Sequence, residues 1–259
     1  GRLSVGTAHG KVLTFQDQVL RWVCDANSDR GAVSCLSYSQ DGTRILVGFA
    51  RGLLFETRYG VLDVREKLFE TRYGLWGVLQ VTWAGVTGLA LDTGGSVWLM
   101  KFSRPLGVRS ARTSCLFSGA RGEVVAMAAR DARVLALATL SRVIVVAGGR
   151  AAGLKFGGAS DTLPVLAWSE SDERVLISAR ANVMQWLTVT ISGSSISLRP
   201  RQRVALSASP LWMGWLGEGL AILDVTERLL LWGNTVEHPL DLAHIEPVYA
   251  SALFKVGAF

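Results

Sequence analysis

The fifteen residues Leu36–Ala50, LSYSQDGTRILVGFA, reappear in outline at Leu166–Arg180 as LAWSESDERVLISAR. Leucine opens each stretch, an aromatic follows at Tyr38 and Trp168, and then comes Ser39 or Ser169. Polar turn residues lead on to Arg44 and Arg174, and an apolar run closes both. Two short apolar segments around a polar turn form a β-hairpin pattern. Its recurrence 130 positions later makes it a repeated unit of the fold.

A second series fixes the period. A tight turn followed by an apolar strand occurs as KVLTF (Lys11–Phe15), SVWLM (Ser96–Met100), RVIVV (Arg142–Val146), NVMQW (Asn182–Trp186) and RLLLW (Arg228–Trp232). The second residues stand at 12, 97, 143, 183 and 229, which gives gaps of 85, 46, 40 and 46. The longest gap hides one member, and 130 is three spacings, so the period is about 43 residues. Four short strands in a unit of that length are the mark of a WD-type β-propeller blade. Elsewhere, too, short runs of Val, Leu, Ile and Trp are punctuated by Gly, Asp, Ser and Asn, and no apolar helical periodicity lasts three turns. The fold class is therefore all-β, and a parallel α/β fold is excluded for want of crossover helices.

This period predicts a single propeller domain over 1–259, with about six blades present of an expected seven and truncation at both ends. Leu3–Val23 should supply the last three strands of a first blade. Five blades should follow at Ala32–Tyr73, Val78–Ser114, Glu123–Gly158, Pro164–Leu206 and Leu211–Leu240. Pro247–Phe254 should begin one more, leaving a gap or a makeshift closure against the first blade.

One feature does not fit the period. LFETRYG occurs at Leu54–Gly60 and again at Leu68–Gly74, fourteen positions apart. Fourteen does not divide the blade length. Two registers compete for the hidden third strand, LLFET (Leu53–Thr57) and GVLDV (Gly60–Val64). One copy reads as surplus, a local tandem duplication or an error in the assembly of the coding sequence. The first copy, near 53–59, is the expected intrusion, an over-long hairpin or loose loop within 52–62, while Leu68–Thr71 lie in a regular outer strand.

Composition narrows the function. Hydrophobic residues make up 49% of the chain, enough for a sizeable core, yet no apolar run approaches the roughly 20 residues of a spanning helix. No charged-then-apolar leader follows Gly1, and the chain reads as a fragment. Cys24, Cys35 and Cys115 are odd in number and lack CxxC spacing, which suits a reducing compartment. The net charge of +6 falls short of a nucleic-acid signature and favours acidic partners or membrane surfaces. Its densest clusters are Arg104, Arg109 and Arg112, then Arg199, Arg201 and Arg203. These are the candidate partner-binding residues, with a solvated face as the plainer reading.

No catalytic, metal or cofactor-binding residues stand out. SQDGTRIL (Ser39–Leu46) lacks the tryptophan and spacing of a sialidase Asp-box, and none of His9, His238 or His244 lies in a nucleophile setting. His238 precedes Pro239 in an expected loop. Glu237, His238, Asp241, His244 and Glu246 are explained by loop polarity, and no phosphate-cradling glycine loop precedes a helix. Of the nine tryptophans, Trp98, Trp168, Trp186 and Trp232 fall at strand positions expected between blades. Exposure of Trp76, Trp212 or Trp215 would instead mark a contact surface.

The chain resembles the amino-terminal propeller of the vacuolar protein sorting protein eight family. The likeness is sharpest in GGSVWLMKFSRPLGVRSARTSCLFSGARGEV (Gly94–Val124), above all in CLFSGARGEV. It extends to SVGTAHGKVLTF (Ser4–Phe15), AVSCLSYSQDGTRILVGFARG (Ala32–Gly52), PVLAW (Pro164–Trp168) and LAHIEPVYASALFK (Leu242–Lys255). The resemblance implies a cytoplasmic scaffold, peripheral on the early endosome, in the tethering complex called CORVET. Its implied partners are the other tethering-complex subunits and a Rab-family GTPase of the early endosome, with the membrane surface as a further candidate. An α-solenoid and a RING-type zinc domain would follow the propeller in such a protein. A generic WD-repeat scaffold of another complex is the alternative, and a propeller enzyme comes third.

Overall fold

A computed structural model of the chain describes residues 2–25, 31–39, 41–51, 53–58, 67–72, 77–103, 110–118, 123–157, 160–193, 195–216, 219–226, 228–232 and 237–240. Among these residues the regular structure is β-strand throughout, arranged as six antiparallel sheets in two compact units.

The first unit holds three sheets. One has three strands, β1 (Arg2–Gly6), β2 (Lys11–Gln16) and β3 (Val19–Asp25). The next comprises β4 (Val33–Tyr38), β5 (Arg44–Phe49), β6 (Leu53–Arg58) and β7 (Lys67–Arg72). The third comprises β8 (Val78–Ala84), β9 (Thr87–Asp92), β10 (Ser96–Ser103) and β11 (Ser110–Ser118).

The second unit holds three four-stranded sheets. They are β12 (Ala126–Ala129), β13 (Val134–Ala138), β14 (Arg142–Ala147) and β15 (Arg150–Lys155), then β16 (Val165–Trp168), β17 (Val175–Arg180), β18 (Val183–Ser192) and β19 (Ser195–Ala205). The last is β20 (Pro210–Leu216), β21 (Gly219–Asp224), β22 (Leu229–Trp232) and β23 (Glu237–Leu240). Each strand pairs with its sequence neighbour, so every sheet is a meander of the kind that makes a propeller blade.

Burial across a blade explains why the sequence pattern changes from strand to strand. The second strands are covered on both faces: every residue of β9, β13 and β17 is buried. Such strands read as unbroken apolar runs such as VLALA rather than as alternation. The outer strands β15 and β19 are exposed or half-buried throughout and carry most of the charge on their sheets' strands. Apolar cores form where sheets face each other within a unit. Leu46 of β5 packs with Val78, Val81, Ala90 and Met100 of the following sheet. Leu176, Leu187 and Val189 pack with Val134, Ala136, Val143 and Val145 of the preceding one.

A repeated hydrogen bond stitches neighbouring sheets. The indole N–H of Trp83 donates to the Ser37 carbonyl at 3.0 Å, that of Trp168 to Ala128 at 3.2 Å, and that of Trp215 to Trp168 at 2.6 Å. Each runs from one first strand to the first strand of the preceding sheet. Tyr38 fills the same place in its blade, its hydroxyl 2.5 Å from Ser4 Oγ. The aromatic of the repeated hairpin is thus the residue that ties one blade to the next. A buried indole N–H needs an acceptor, and the neighbouring carbonyl supplies it.

The turns are closed by short polar side chains. In SQDG, Ser39 Oγ donates to Asp41 Oδ1 at 2.6 Å, and the Thr43 amide and hydroxyl donate to the same carboxylate. These donors, the Ser39 hydroxyl first, lower the Asp41 pKa from 3.8 to about 2. A depressed carboxylate contributes stability above its ordinary pKa and loses it as the pH falls toward the folded value. Asp41 is exposed, and solvent screening limits the gain to about 0.5–1 kcal/mol. Asp41→Ala should therefore lower urea-unfolding stability by that amount at neutral pH. Its deficit against the parent chain should shrink as the pH drops from about 4 toward 2.

The LFETRYG expectation is corrected. The first copy does not loop out. Leu53–Arg58 forms β6, paired with β5 from Arg44↔Arg58 to Gly48↔Leu54. The second copy forms β7, and the two run antiparallel in one sheet, with Phe55 opposite Glu70 and Glu56 opposite Phe69. The reason is spacing. β5 ends at Phe49 and β6 begins at Leu53, so LLFET takes the third-strand place, while GVLDV lies outside the described residues. Leu54 is also the missing member of the third-strand series, midway between Val12 and Val97. His238 is corrected too: it lies in β23, opposite Leu231, rather than in a loop. Pro247–Phe254 and the closure predicted there lie outside the described residues.

Candidate functional site

Of the predicted basic residues, four lie on described outer strands, Arg112 on β11 and Arg199, Arg201 and Arg203 on β19. Arg112 is exposed on β11 opposite Lys101, while Arg104 and Arg109 lie outside the described residues. Arg199, Arg201 and Arg203 are all exposed on β19. Two-residue spacing would put them on one face of a regular strand. A β-bulge prevents this. Pairing with β18 steps from Trp186↔Gln202 to Leu187↔Pro200, so Arg201 is the extra residue. Arg203 then faces the same side as Gln185, whereas Arg199, opposite Thr188, faces the other. The sequence shows three arginines in a row, and the bulge separates them.

Arg203 instead joins residues that sequence reasoning missed. Ser178 of β17, Gln185 of β18 and Arg203 of β19 are direct cross-strand neighbours. Arg180, two residues beyond Ser178, shares their face. The four lie at the end of the sheet where β17 turns into β18 through Ala181 and Asn182. Together with Phe156, Gly157 and Ser160, on the connection from the preceding sheet, they line a cavity of about 220 Å³. Ser178 is 2% exposed, Gln185 6% and Arg180 8%. Arg180 is held in place: its guanidinium donates to the Ser160 carbonyl and sits 5.2 Å from the Phe156 ring centre. Ala181 adopts φ 50°, a left-handed conformation that a non-glycine residue holds at some cost. Polar residues inside the buried runs VLISAR and NVMQW were the available signal, since a second or third strand ordinarily buries apolar ones.

The tryptophans and cysteines have structural places. Trp168 is buried, Trp98 and Trp186 are half-buried, and the Trp98 indole donates to Asp92 at 2.8 Å. Trp212 and Trp215 are half-buried, and the Trp212 ring lies so close over Gly214 that a Cβ there would sit 2.5 Å from Cζ2. Trp76 lies outside the described residues, and the side chain of Trp232 is not described. Cys115 is a free, exposed thiol, while Cys35 is a free thiol over Gly48, and burial pushes its pKa up to about 12. His9 is exposed in the β1–β2 turn, and His244 lies outside the described residues. Among the described residues no three His, Cys, Asp or Glu side chains converge.

Comparisons with known proteins place this architecture. Solved structures give the fold. The β-propeller domain of Myceliophteria thermophila Cps50 (Swd1) has a TM-score of 0.70 at 15% identity, covering 92% of this chain and 81% of that one. A chain of the mitotic checkpoint complex has a TM-score of 0.67 at 16% identity, covering 91% and 74%. The vacuolar protein sorting-associated protein 8 homolog of Drosophila melanogaster is 37% identical over 287 residues, covering 98% of this chain. Its mouse counterpart is 27% identical with the same coverage. The chain spans 23% and 20% of the length of these two relatives. The model of the Vps8 beta-propeller family matches residues 2–258, and the chain belongs to that family.

Proposed function

We propose that this propeller is the interaction end of a non-enzymatic scaffold subunit that serves vacuolar protein sorting by tethering endosomal membranes before fusion. The family match over residues 2–258 carries the reading. The relatives' names supply the sorting role. Exposed, arginine-bearing outer strands around buried inner ones suit a module that meets partners through its surface. The partners proposed are the other subunits of the CORVET tethering complex and a Rab-family GTPase of the early endosome. The protein acts in the cytoplasm, peripherally on early endosomes, and needs no cofactor. No hydrolase, lyase or glycosidase activity is expected, since none of the three histidines of the sequence stands in a nucleophile setting.

The test is capture of the early-endosomal GTPase by the immobilised chain, in its GTP-analogue and GDP forms. Retention of the GTP form alone is the expected outcome, and equal or absent retention of both would remove this partner. Arg109→Glu with Arg112→Glu should weaken capture of the GTPase or of acidic vesicles, more at low salt than at high salt. Unchanged capture would return these arginines to a merely solvated face.

A further inference from the structure

The cavity of the second unit holds a set of donors that the propeller scaffold does not use. Ser178 Oγ and Gln185 Nε2 are buried and find no hydrogen-bond partner among the protein atoms. Buried donors are ordinarily satisfied, because leaving one unmade forfeits its hydration without return. Here two lie side by side on neighbouring strands. Both line the same cavity, flanked by the guanidinium groups of Arg180 and Arg203. Among the described residues no acidic side chain lines it. The rest of the face below this row is apolar core, built by Leu176, Leu187 and Val189. The polar row is therefore confined to the end of the blade where the cavity lies.

We propose that this cavity is a binding site for a carboxylate, presented by an acidic side chain or chain end of a protein partner. The hydroxyl of Ser178 and the amide of Gln185 offer floor donors to the two oxygens of a planar carboxylate. The Arg203 guanidinium at the strand edge supplies the compensating charge in the planar geometry that suits that group. Arg180 is fixed by Ser160 and Phe156 and adds positive potential without having to be ordered on binding. The Phe156 ring gives the stem of the acidic residue an apolar wall. The exposed Arg203 cation beside two buried neutral donors matches an anion, and the volume of about 220 Å³ admits one side chain rather than a folded surface. The proposal does not rest on the tethering role.

The experiment titrates the ¹⁵N-labelled full chain with N-acetylglutamate and, separately, with inorganic phosphate at matched ionic strength, following the Gln185 side-chain amide in the parent chain and the backbone amides of Ser178 and Arg203 in every variant. N-acetylglutamate should shift that resonance saturably. Gln185→Met and Arg203→Met should each weaken binding about tenfold or more. Gln185→Met should keep or raise the melting temperature, since it removes a buried donor that lacks a protein partner. That separates a ligand-binding amide from a structural one. Absence of a saturable shift, a response to phosphate alone, or equal affinity in Arg203→Met would each overturn the assignment.

Discussion

Trp168→Ala should cost about 3–5 kcal/mol of unfolding free energy, the range for removing a buried aromatic and leaving a cavity. Trp168 is 7% exposed and packs in the core that Leu176, Leu187 and Val189 share with the preceding sheet. Its indole N–H reaches the Ala128 carbonyl in that sheet, and its own carbonyl receives the Trp215 indole from the next. The substitution therefore empties a core position and breaks one of two successive links between blades. Trp168→Phe keeps most of the ring and loses the indole donor, so it should cost nearer to the ~1 kcal/mol of a single hydrogen bond plus a small packing loss. Urea unfolding of the two variants beside the parent chain gives both numbers. Equal, small losses would mean that the ring is not packed between sheets.

Leu46→Ala should be the comparable lesion in the first unit, at about 2–5 kcal/mol. Leu46 is fully buried on β5 and meets Val78, Val81, Ala90 and Met100 across the gap to the next sheet. The site cannot easily collapse. Gly48, two residues along β5, already brings the strand so close that a Cβ there would lie 2.5 Å from Cys35 Sγ and 2.7 Å from Val78 Cγ1. A backbone seated that tightly relaxes little into a void, and the cavity remains. Leu79→Ala is the control. Leu79 is 42% exposed on β8, and its loss should cost less than about 0.5 kcal/mol, as for an ordinary surface change. If Leu79 proves as costly as Leu46, the assignment of faces on these strands is wrong.

The LFETRYG repeat shows how local and global signals divided. Seven identical residues suggested an intrusion, because local identity says nothing about which strands will pair. The spacing of third strands already placed Leu54 in the series, and the register with β5 follows that spacing. The period was the stronger signal because every blade must present a third strand to its second. The repeated peptide had no such constraint.

What the sequence determined by itself was the repeat and its consequences. The period of about 43 residues, the all-β class, the hairpin turns and the family likeness all rest on which residue types recur where. Buried strands must be apolar on both faces, and tight turns need Ser, Asp or Gly, so fold-level order is written in composition at regular intervals. Tertiary structure alone decided which polar residues meet. The bulge at Arg201 turned Arg199 away from Arg203. Cross-strand register set Ser178, Gln185 and Arg203 in a row, although they stand seven and eighteen positions apart in the chain. Tyr38, Trp83, Trp168 and Trp215 became equivalent only when each was seen to reach the preceding blade. Side-chain meetings of this kind depend on register and on the approach of one sheet to another. Both are set by packing between segments distant in the chain, and no local pattern encodes them.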